Sequence, residues 1–173
     1  MIATKPWSLF HWKTAALPKP LRLAHAFSIR TAFSDEKETA THVALLSLKM
    51  NTEWHEAHHT VTYAISEGSK RAFVDHDTTS CLVITHGKRI IGASMLDIRP
   101  EASYHLLSGP WVLAEYRNRG LGSALLYASI EQLAKEGIEE VAGITFSHSI
   151  AARFVYPKFS GMKIFVAPPH FSS

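Results

Sequence analysis

The chain has 173 residues, of which 46% are hydrophobic and 19% charged, as in an ordinary globular domain with a core of its own. Its formal net charge of +3 is small and spread along the chain, so it does not indicate a nucleic-acid partner. No apolar run reaches the length of a membrane span, which argues against a membrane protein.

Cysteine usage indicates the compartment. Cys81 is the single cysteine, so an internal disulfide is excluded and a reducing, cytoplasmic location is expected. The first ten residues lack a sustained hydrophobic segment, so a signal peptide is not expected there.

Residues 1–24 are predicted to be an N-terminal extension that precedes a domain at residues 25–173. Prolines in this segment argue against one long helix. Its aromatic residues Trp7, Phe10 and Trp12 are expected to pack on the domain surface or against a partner subunit.

A first strand is predicted at residues 24–31, and two helices follow it. Ser34 or Asp35 can cap the first helix, and Glu38 completes a capping box. The second helix begins near residue 51 and has an apolar row, and Gly68 is predicted to end it.

The remaining elements alternate in type. A hairpin is predicted first, because two apolar runs flank a glycine-containing turn. The predicted segments are strands at 81–85 and 89–96, a strand at 103–113, a helix from about 121 to 137, a strand at 141–146, a short helix at 150–156 and a strand at 162–166.

A basic, glycine-containing turn lies between the third of these strands and its helix. It holds Arg117, Arg119, Gly120 and Gly122. The first N–H groups of a helix have no partner within it, and the helix dipole adds partial positive charge there. Such a turn suits a phosphate or pyrophosphate, although an ordinary tight turn with solvated arginines is the alternative.

Two common phosphate loops are excluded. A dinucleotide fingerprint would need a glycine in place of Leu125, and the Gly-Lys-Ser/Thr of a P-loop is absent. The remaining pattern, Arg117-x-x-Gly120-x-Gly122, closely resembles the acyl-CoA loop of the GCN5-related N-acetyltransferases (GNAT).

The order of elements resembles the same family over residues 25–166. Gly92 matches a glycine that family members usually have in the second strand of the hairpin. The last helix of the family often carries Asn-x-x-Ala-x-x-x-Tyr followed by Gly-Phe. The corresponding residues here are Ser149, Ala152, Tyr156 and Gly161-Met162.

The resemblance implies an α/β (α+β) sandwich with a mixed central sheet flanked by helices. It implies direct transfer of acetyl from acetyl-CoA to the amine of a small molecule or peptide, without a metal. Tyr156 would protonate the leaving thiolate. The residues implied in cofactor binding are Val112, Leu113, Arg117, Asn118, Arg119, Gly120, Leu121, Gly122, Ser123 and Ser149.

The chain departs from the family pattern in three places. Ser149 replaces the usual asparagine, and an extra residue separates Tyr156 from Gly161. Only seven residues follow Val166, where the family normally has another strand. That strand is missing, is replaced by the N-terminal segment, or is supplied by another subunit, which would make a homodimer.

The general base has no clear candidate. Leu106 or Ser108 stands where family members often have Glu or His, and Ser108 could order a water that relays the proton. His105 should point to the other face of the strand. Asp97 and His148 are further candidates, whereas Glu115 matches a common surface glutamate.

A non-catalytic function is one alternative. An acyl-CoA-binding or regulatory module would keep the basic loop and lack a general base.

A zinc protease is the other alternative. The His-Glu-x-x-His pattern of these enzymes is satisfied by His55-Glu56-Ala57-His58-His59. No third ligand follows at the expected spacing, and 11 histidines make a chance match easy, so we favour the acetyltransferase and predict no bound metal.

Overall fold

Segments rich in β-branched and aromatic residues pair into one seven-stranded sheet in the computed structural model, which describes residues 7–166. The strands are β1 (Trp7–Lys13), β2 (Phe27–Thr31), β3 (Thr79–His86), β4 (Arg89–Asp97), β5 (Leu106–Val112), β6 (Glu140–Phe146) and β7 (Met162–Val166). The α-helices are α1 (Lys37–Lys49), α2 (His58–Val74) and α3 (Leu121–Lys135). A 3-10 segment, Thr52–Ala57, precedes α2, and a π-helical turn, Ala151–Val155, precedes β7.

The sheet has the order β2-β3-β4-β5-β6-β1-β7. Neighbouring strands are antiparallel except β5 and β6, which are parallel. The predicted fold class, a mixed sheet flanked by helices, is confirmed.

The helices cover both faces of the sheet. Helix α2 lies against Met95 of β4, since a Cβ on Gly68 would be 3.6 Å from the Met95 Cβ. Helix α3 contacts Ser94, the preceding residue of β4, because the Ser129 hydroxyl donates a hydrogen bond to the Ser94 hydroxyl at 3.2 Å. Successive side chains of a strand point to opposite faces, so α2 and α3 lie on opposite sides of β4. Helix α1 packs beside α2, where the hydroxyls of Thr41 and Ser69 are hydrogen bonded.

The prediction that Gly68 ends the second helix is wrong, because α2 continues to Val74. Gly68 is buried where α2 approaches the sheet, and an added Cβ would lie 3.5 Å from the Cβ of Leu107. This is an ordinary van der Waals distance, so the packing at this position does not require a glycine. The predicted capping box also differs, since Glu36, and not Glu38, accepts the hydrogen bond from the Phe33 N–H, at 2.7 Å.

The expectation that the N-terminal aromatic residues lie on the domain surface is also wrong. Trp7, Phe10 and Trp12 belong to β1, which pairs with β6 on one side and β7 on the other. All three are buried, so the N-terminal segment completes the sheet. Of the three alternatives for the last strand, replacement by this segment is the one observed. The domain boundary after residue 24 stays a prediction.

Trp12 connects β1 to the end of the chain. Its indole Nε1 donates to the carbonyl oxygens of Tyr156 at 3.0 Å and Lys158 at 3.2 Å. Its ring lies edge to face with the ring of Tyr156, at a centroid distance of 5.2 Å. The first strand therefore holds the segment that follows the π-helical turn.

Among residues 7–166, no helix is both long enough and apolar enough to cross a bilayer.

We predict that Trp12→Ala lowers the free energy of unfolding by about 3–5 kcal/mol, the usual cost of truncating a buried aromatic side chain. Urea unfolding followed by circular dichroism measures it. The control, Lys13→Ala, changes the next residue, which is exposed, and should stay within about 0.5 kcal/mol of the original chain. Equal stability of the two variants would contradict the burial of β1.

Candidate active site

A cleft opens where β5 and β6 separate. The two strands share one registered pair, Leu106 with Gly143, and then diverge. The cleft has a volume of about 550 Å³ and is lined by both strands, the start of α3, the π-helical turn and the segment before α2. Because adjacent parallel strands ordinarily remain hydrogen bonded, this separation exposes backbone groups that a ligand can bind.

The N-terminus of α3 forms one wall of the cleft. Gly120 has φ = 73°, a left-handed conformation that glycine adopts without strain, and it turns the chain into the helix. The first bond within the helix runs from the Ala124 N–H to the Gly120 carbonyl, and no side chain caps this end. The N–H groups of Leu121, Gly122 and Ser123 thus have no acceptor within the helix.

Cations lie beside this helix end. The Lys158 Nζ donates to the Ser123 Oγ at 2.9 Å, and Lys158 lines the cleft. Arg117 also lines the cleft, while one of its N–H groups holds the Ser47 carbonyl of α1 at 3.1 Å. Arg119 is exposed outside the cleft, with its guanidinium 5.4 Å from the centre of the Tyr116 ring. Together with the helix dipole, Lys158 and Arg117 make this end of the cleft favourable for an anion.

The backbone of β5 offers a further donor. The Leu113 N–H donates to the Ile91 carbonyl of β4 at 2.9 Å. Since N–H groups alternate between the two edges of a strand, the Val112 N–H points away from β4, toward the cleft. Val112 lines the cleft, whereas Leu113 is buried outside it.

Tyr156 lies at the base of the same opening. Its hydroxyl donates to the Gly109 carbonyl of β5 at 2.7 Å, and its ring packs against Phe10 at a centroid distance of 5.3 Å. Burial raises the pKa of the Tyr156 hydroxyl above its ordinary value, because the ionised form would lose its hydration. The hydroxyl therefore keeps its proton at neutral pH and beyond.

Ser108 lines the cleft as the other predicted catalytic residue, and it is already hydrogen bonded. Its Oγ accepts from the Trp111 indole Nε1 at 2.6 Å. This bond fixes the orientation of Trp111. The hydroxyl retains one donor proton and a further lone pair for a water or a ligand.

Ser149, the predicted replacement for the family asparagine, does not line the cleft. It is fully buried, and its Oγ accepts from the Ala152 N–H at 3.0 Å and lies 3.2 Å from the Thr145 Oγ1. Its geometry is that of a residue capping the helical segment that contains the π-helical turn. The predicted site residues that do line the cleft are Ser108, Val112, Arg117, Asn118, Gly120, Leu121, Gly122, Ser123 and Tyr156, while Leu113, Arg119 and Ser149 do not.

Two of the candidate bases, His105 and Asp97, form hydrogen bonds outside the cleft. His105 is buried outside the cleft, where its Nδ1 accepts from the Ala142 N–H at 3.0 Å, and burial lowers its pKa. Burial alone would raise the pKa of Asp97, but hydrogen bonds from Arg99 and Arg71 outweigh that effect and hold the pKa below its ordinary value. Asp97 thus remains an ion-paired carboxylate.

The other two candidates are exposed. Glu115 forms a surface ion pair with Arg89 at 3.0 Å, as expected for a surface glutamate. His148 packs against the Phe146 ring and does not line the cleft.

The His-Glu-x-x-His pattern lies across the junction of two elements. His55 and Glu56 belong to the 3-10 segment and His59 to α2, and all three are exposed. In residues 7–166, no group of three or more His, Cys, Asp or Glu side chains is arranged to hold a metal ion.

Sequence reasoning missed several residues of the cleft. Glu53 lines it and accepts from the Asn51 Nδ2 at 2.8 Å and from the Ile150 N–H at 2.7 Å. Lys158 and the tryptophans of the lining were also missed. Only the three-dimensional fold brings Glu53 to Ile150, which is 97 positions away, so no local pattern could have identified it.

Comparisons with known proteins agree with this fold. The model of the acetyltransferase (GNAT) family matches residues 32–162. No curated protein matches the chain. Similar solved structures include a protein from Drosophila, with a TM-score of 0.60 and 14% identity over 92% of this chain and 48% of that one.

Two further structures are described as GCN5-related N-acetyltransferases. The protein from Sphaerobacter thermophilus has a TM-score of 0.59 and 14% identity, covering 92% of this chain and 49% of its own. The protein from Kribbella flavida has a TM-score of 0.57 and 12% identity, and the match covers 90% of this chain and 54% of that protein. The chain thus spans about half the length of these structures.

We predict that Ser149→Ala lowers the free energy of unfolding by about 0.5–2 kcal/mol, the typical cost of removing a capping side chain. Because Ser149 lies outside the cleft lining, the affinity for coenzyme A should not change. Thermal unfolding and isothermal titration calorimetry measure the two effects. A large loss of affinity at unchanged stability would assign Ser149 to the ligand instead.

Proposed function

The chain belongs to the acetyltransferase (GNAT) family, and on this premise we propose that it transfers acetyl from acetyl-CoA to the amine of an acceptor. The observation that carries the proposal is the uncapped N-terminus of α3, which opens onto the cleft between β5 and β6. A cytoplasmic location and a homodimer stay predictions from the sequence.

The residues of the cleft fit coenzyme A. Its pyrophosphate is an anion, and the N–H groups of Leu121, Gly122 and Ser123 can hydrogen bond to phosphate oxygens. Lys158 and Arg117 add positive charge at the same end. A Cβ on Gly122 would have a single neighbour within 4 Å, the Val155 Cγ2 at 4.0 Å, so the wall is open to a bulky group.

The strand β5 can orient the acyl group. Acetyl-CoA supplies an activated acyl group, a thioester, whose carbonyl oxygen becomes negatively charged during transfer. The free edge of β5 can bind an extended chain as an added strand would bind. The Val112 N–H on that edge is then the donor that stabilises the developing negative charge.

Tyr156 is proposed as the proton donor to the leaving thiolate. A group in this role must hold its proton until the thiolate forms, and the phenol of Tyr156 is neutral at physiological pH. Because the raised pKa also makes the phenol a weaker acid, the proposed role rests on the position of Tyr156 and not on the shift of its pKa. Its present acceptor, the Gly109 carbonyl, belongs to β5, the strand whose edge would bind the thioester. Ser108 is proposed to order a water on the acceptor side.

One observation favours the alternative of a non-catalytic acyl-CoA-binding module. The Ser108 Oγ is hydrogen bonded to Trp111, and among the described residues β5 brings no carboxylate or imidazole into the cleft. A module would bind acetyl-CoA and release no free coenzyme A with any amine.

We predict that acetyl-CoA raises the melting temperature and that Gly122→Leu abolishes this rise. A ligand at about 100 times its Kd stabilises the folded state by roughly 2.7 kcal/mol. The leucine side chain would occupy the space in front of the helix N-terminus, and helix propensity favours leucine over glycine, so the fold should survive. Differential scanning fluorimetry with and without acetyl-CoA measures the effect.

The matched control is Lys135→Leu, which adds the same side chain at the exposed opposite end of α3. It should retain the full rise in melting temperature. An unchanged melting temperature of the original chain at saturating acetyl-CoA would overturn the proposed function.

We predict that Tyr156→Phe lowers turnover about a hundredfold or more, the typical contribution of a general acid. The ring keeps its packing, and the lost hydrogen bond to the Gly109 carbonyl should cost about 1 kcal/mol of stability. Release of free coenzyme A, followed with a thiol reagent, measures turnover once a screen of amines has found an acceptor.

The Tyr156→Phe variant should still bind acetyl-CoA, which calorimetry can verify. If turnover changes less than threefold, Tyr156 has only a structural role. If the original chain binds acetyl-CoA tightly and turns over no amine, the binding module is the correct function.

A further inference from the structure

The cleft has two chemically different ends. The π-helical turn spans the distance between them, since Val155 lies beside Gly122 of α3 while Ile150, just before the turn, contacts Glu53. The α3 end carries Lys158 and unpaired N–H groups and favours an anion. The other end, the aromatic end, is formed by Trp7, Trp54, Trp111 and Glu53.

The tryptophans of the aromatic end form one connected cluster. The rings of Trp54 and Trp111 lie 5.6 Å apart, and Phe146 packs against both Trp54 and Trp7, at 6.0 and 5.5 Å. The Trp111 N–H is already bonded to Ser108, so the contacts that Trp111 offers a ligand come from its ring. Aromatic ring faces carry partial negative charge and attract cations.

Glu53 adds a full negative charge at this end. Both of the groups that donate to its carboxylate, the Asn51 amide and the Ile150 N–H, are uncharged. No Lys, Arg or His of residues 7–166 forms an ion pair with Glu53. It is also the only carboxylate among the described residues that line the cleft. Glu53 is half-exposed, and its carboxylate, which has no ion-pair partner among the described residues, is available to a cationic ligand in this largely apolar cleft.

Building on the proposed acetyl transfer, we propose that the aromatic end binds the acceptor as a protonated primary amine with an apolar body and no carboxylate of its own. The Glu53 carboxylate accepts a hydrogen bond from the ammonium group, and the tryptophan rings surround it. Transfer requires the neutral amine, so the ammonium group first releases one proton to solvent through the water at Ser108. As the C–N bond forms and the C–S bond breaks, the nitrogen loses a second proton and Tyr156, which protonates the thiolate, is reprotonated, so one proton is released overall. An acceptor that carried its own carboxylate would place a second anion near Glu53, which has no ion-pair partner among the described residues. Glu53 therefore determines specificity by attraction and by exclusion.

Titration of the tryptophan fluorescence without acetyl-CoA tests this proposal directly. The probes are 2-phenylethylamine and hexylamine, which are cationic, phenylalanine, which adds a carboxylate, and 2-phenylethanol, which is neutral. At least one of the two amines should bind saturably. We expect 2-phenylethanol to bind at least about tenfold more weakly, the effect of losing one charge-assisted hydrogen bond. Phenylalanine should also bind at least about tenfold more weakly, because its carboxylate is repelled by that of Glu53.

The variant Glu53→Gln separates the charge from the structural role of the side chain. Glutamine keeps an oxygen that can accept from the Ile150 N–H, so the melting temperature should not change. Affinity for the amine should fall about tenfold or more, while affinity for 2-phenylethanol stays the same. The control, Glu56→Gln, removes a negative charge three residues away and outside the cleft lining, and it should bind like the original chain.

Three results would overturn the ammonium site: no saturable binding of either amine, phenylalanine binding as tightly as 2-phenylethylamine, or unchanged amine affinity in Glu53→Gln. The acetyl-CoA melting experiment is independent of all three. If acetyl-CoA fails to bind while the amine pattern holds, the acetyl transfer is wrong and the ammonium site stands. If acetyl-CoA binds and is consumed with amines and amino acids equally, the transfer stands and the ammonium site is wrong.

Discussion

The separation of β5 from β6 after one residue pair is the constraint on which the site depends. Strands that diverge leave backbone groups without their sheet partners, and buried groups of this kind must be satisfied in another way. Tyr156 satisfies the Gly109 carbonyl, and Glu53 satisfies the Ile150 N–H at the start of the helical segment across the cleft. Side chains from distant parts of the chain thus bond to backbone groups at the edge of the opening, and the Val112 N–H stays directed into it.

The sequence predicted what local chemistry determines. The loop from Arg117 to Gly122 was recognisable because strand end, basic turn and helix start are contiguous. The hairpin was predicted because two apolar runs flank a glycine-containing turn, and the bounds of β7 were predicted correctly at residues 162–166. The family resemblance that rested on these elements is confirmed.

The predictions from the sequence were wrong or incomplete at positions where contacts between distant residues determine the structure. Gly68 has the local signature of a helix end, yet it lies inside α2, where it is buried next to Met95 and Leu107 of the sheet. Phe10 and Trp12 of β1 alternate with polar residues, as in a strand, but their partners are more than a hundred residues away. Glu53 resembles any glutamate in a helical segment until the fold brings it to Ile150.

The position of β1 in the sheet has a consequence for biosynthesis. This strand is made before the rest of the domain, but its neighbours, β6 and β7, are made last, and 144 positions separate Trp12 from the Tyr156 carbonyl that it binds. At 5–20 residues per second, its aromatic side chains wait roughly 7 to 30 seconds for their partners. Closing so long a loop also slows folding. The aromatic strand therefore stays unpaired while most of the domain is translated, and the sheet can close only when β6 and β7 have left the ribosome.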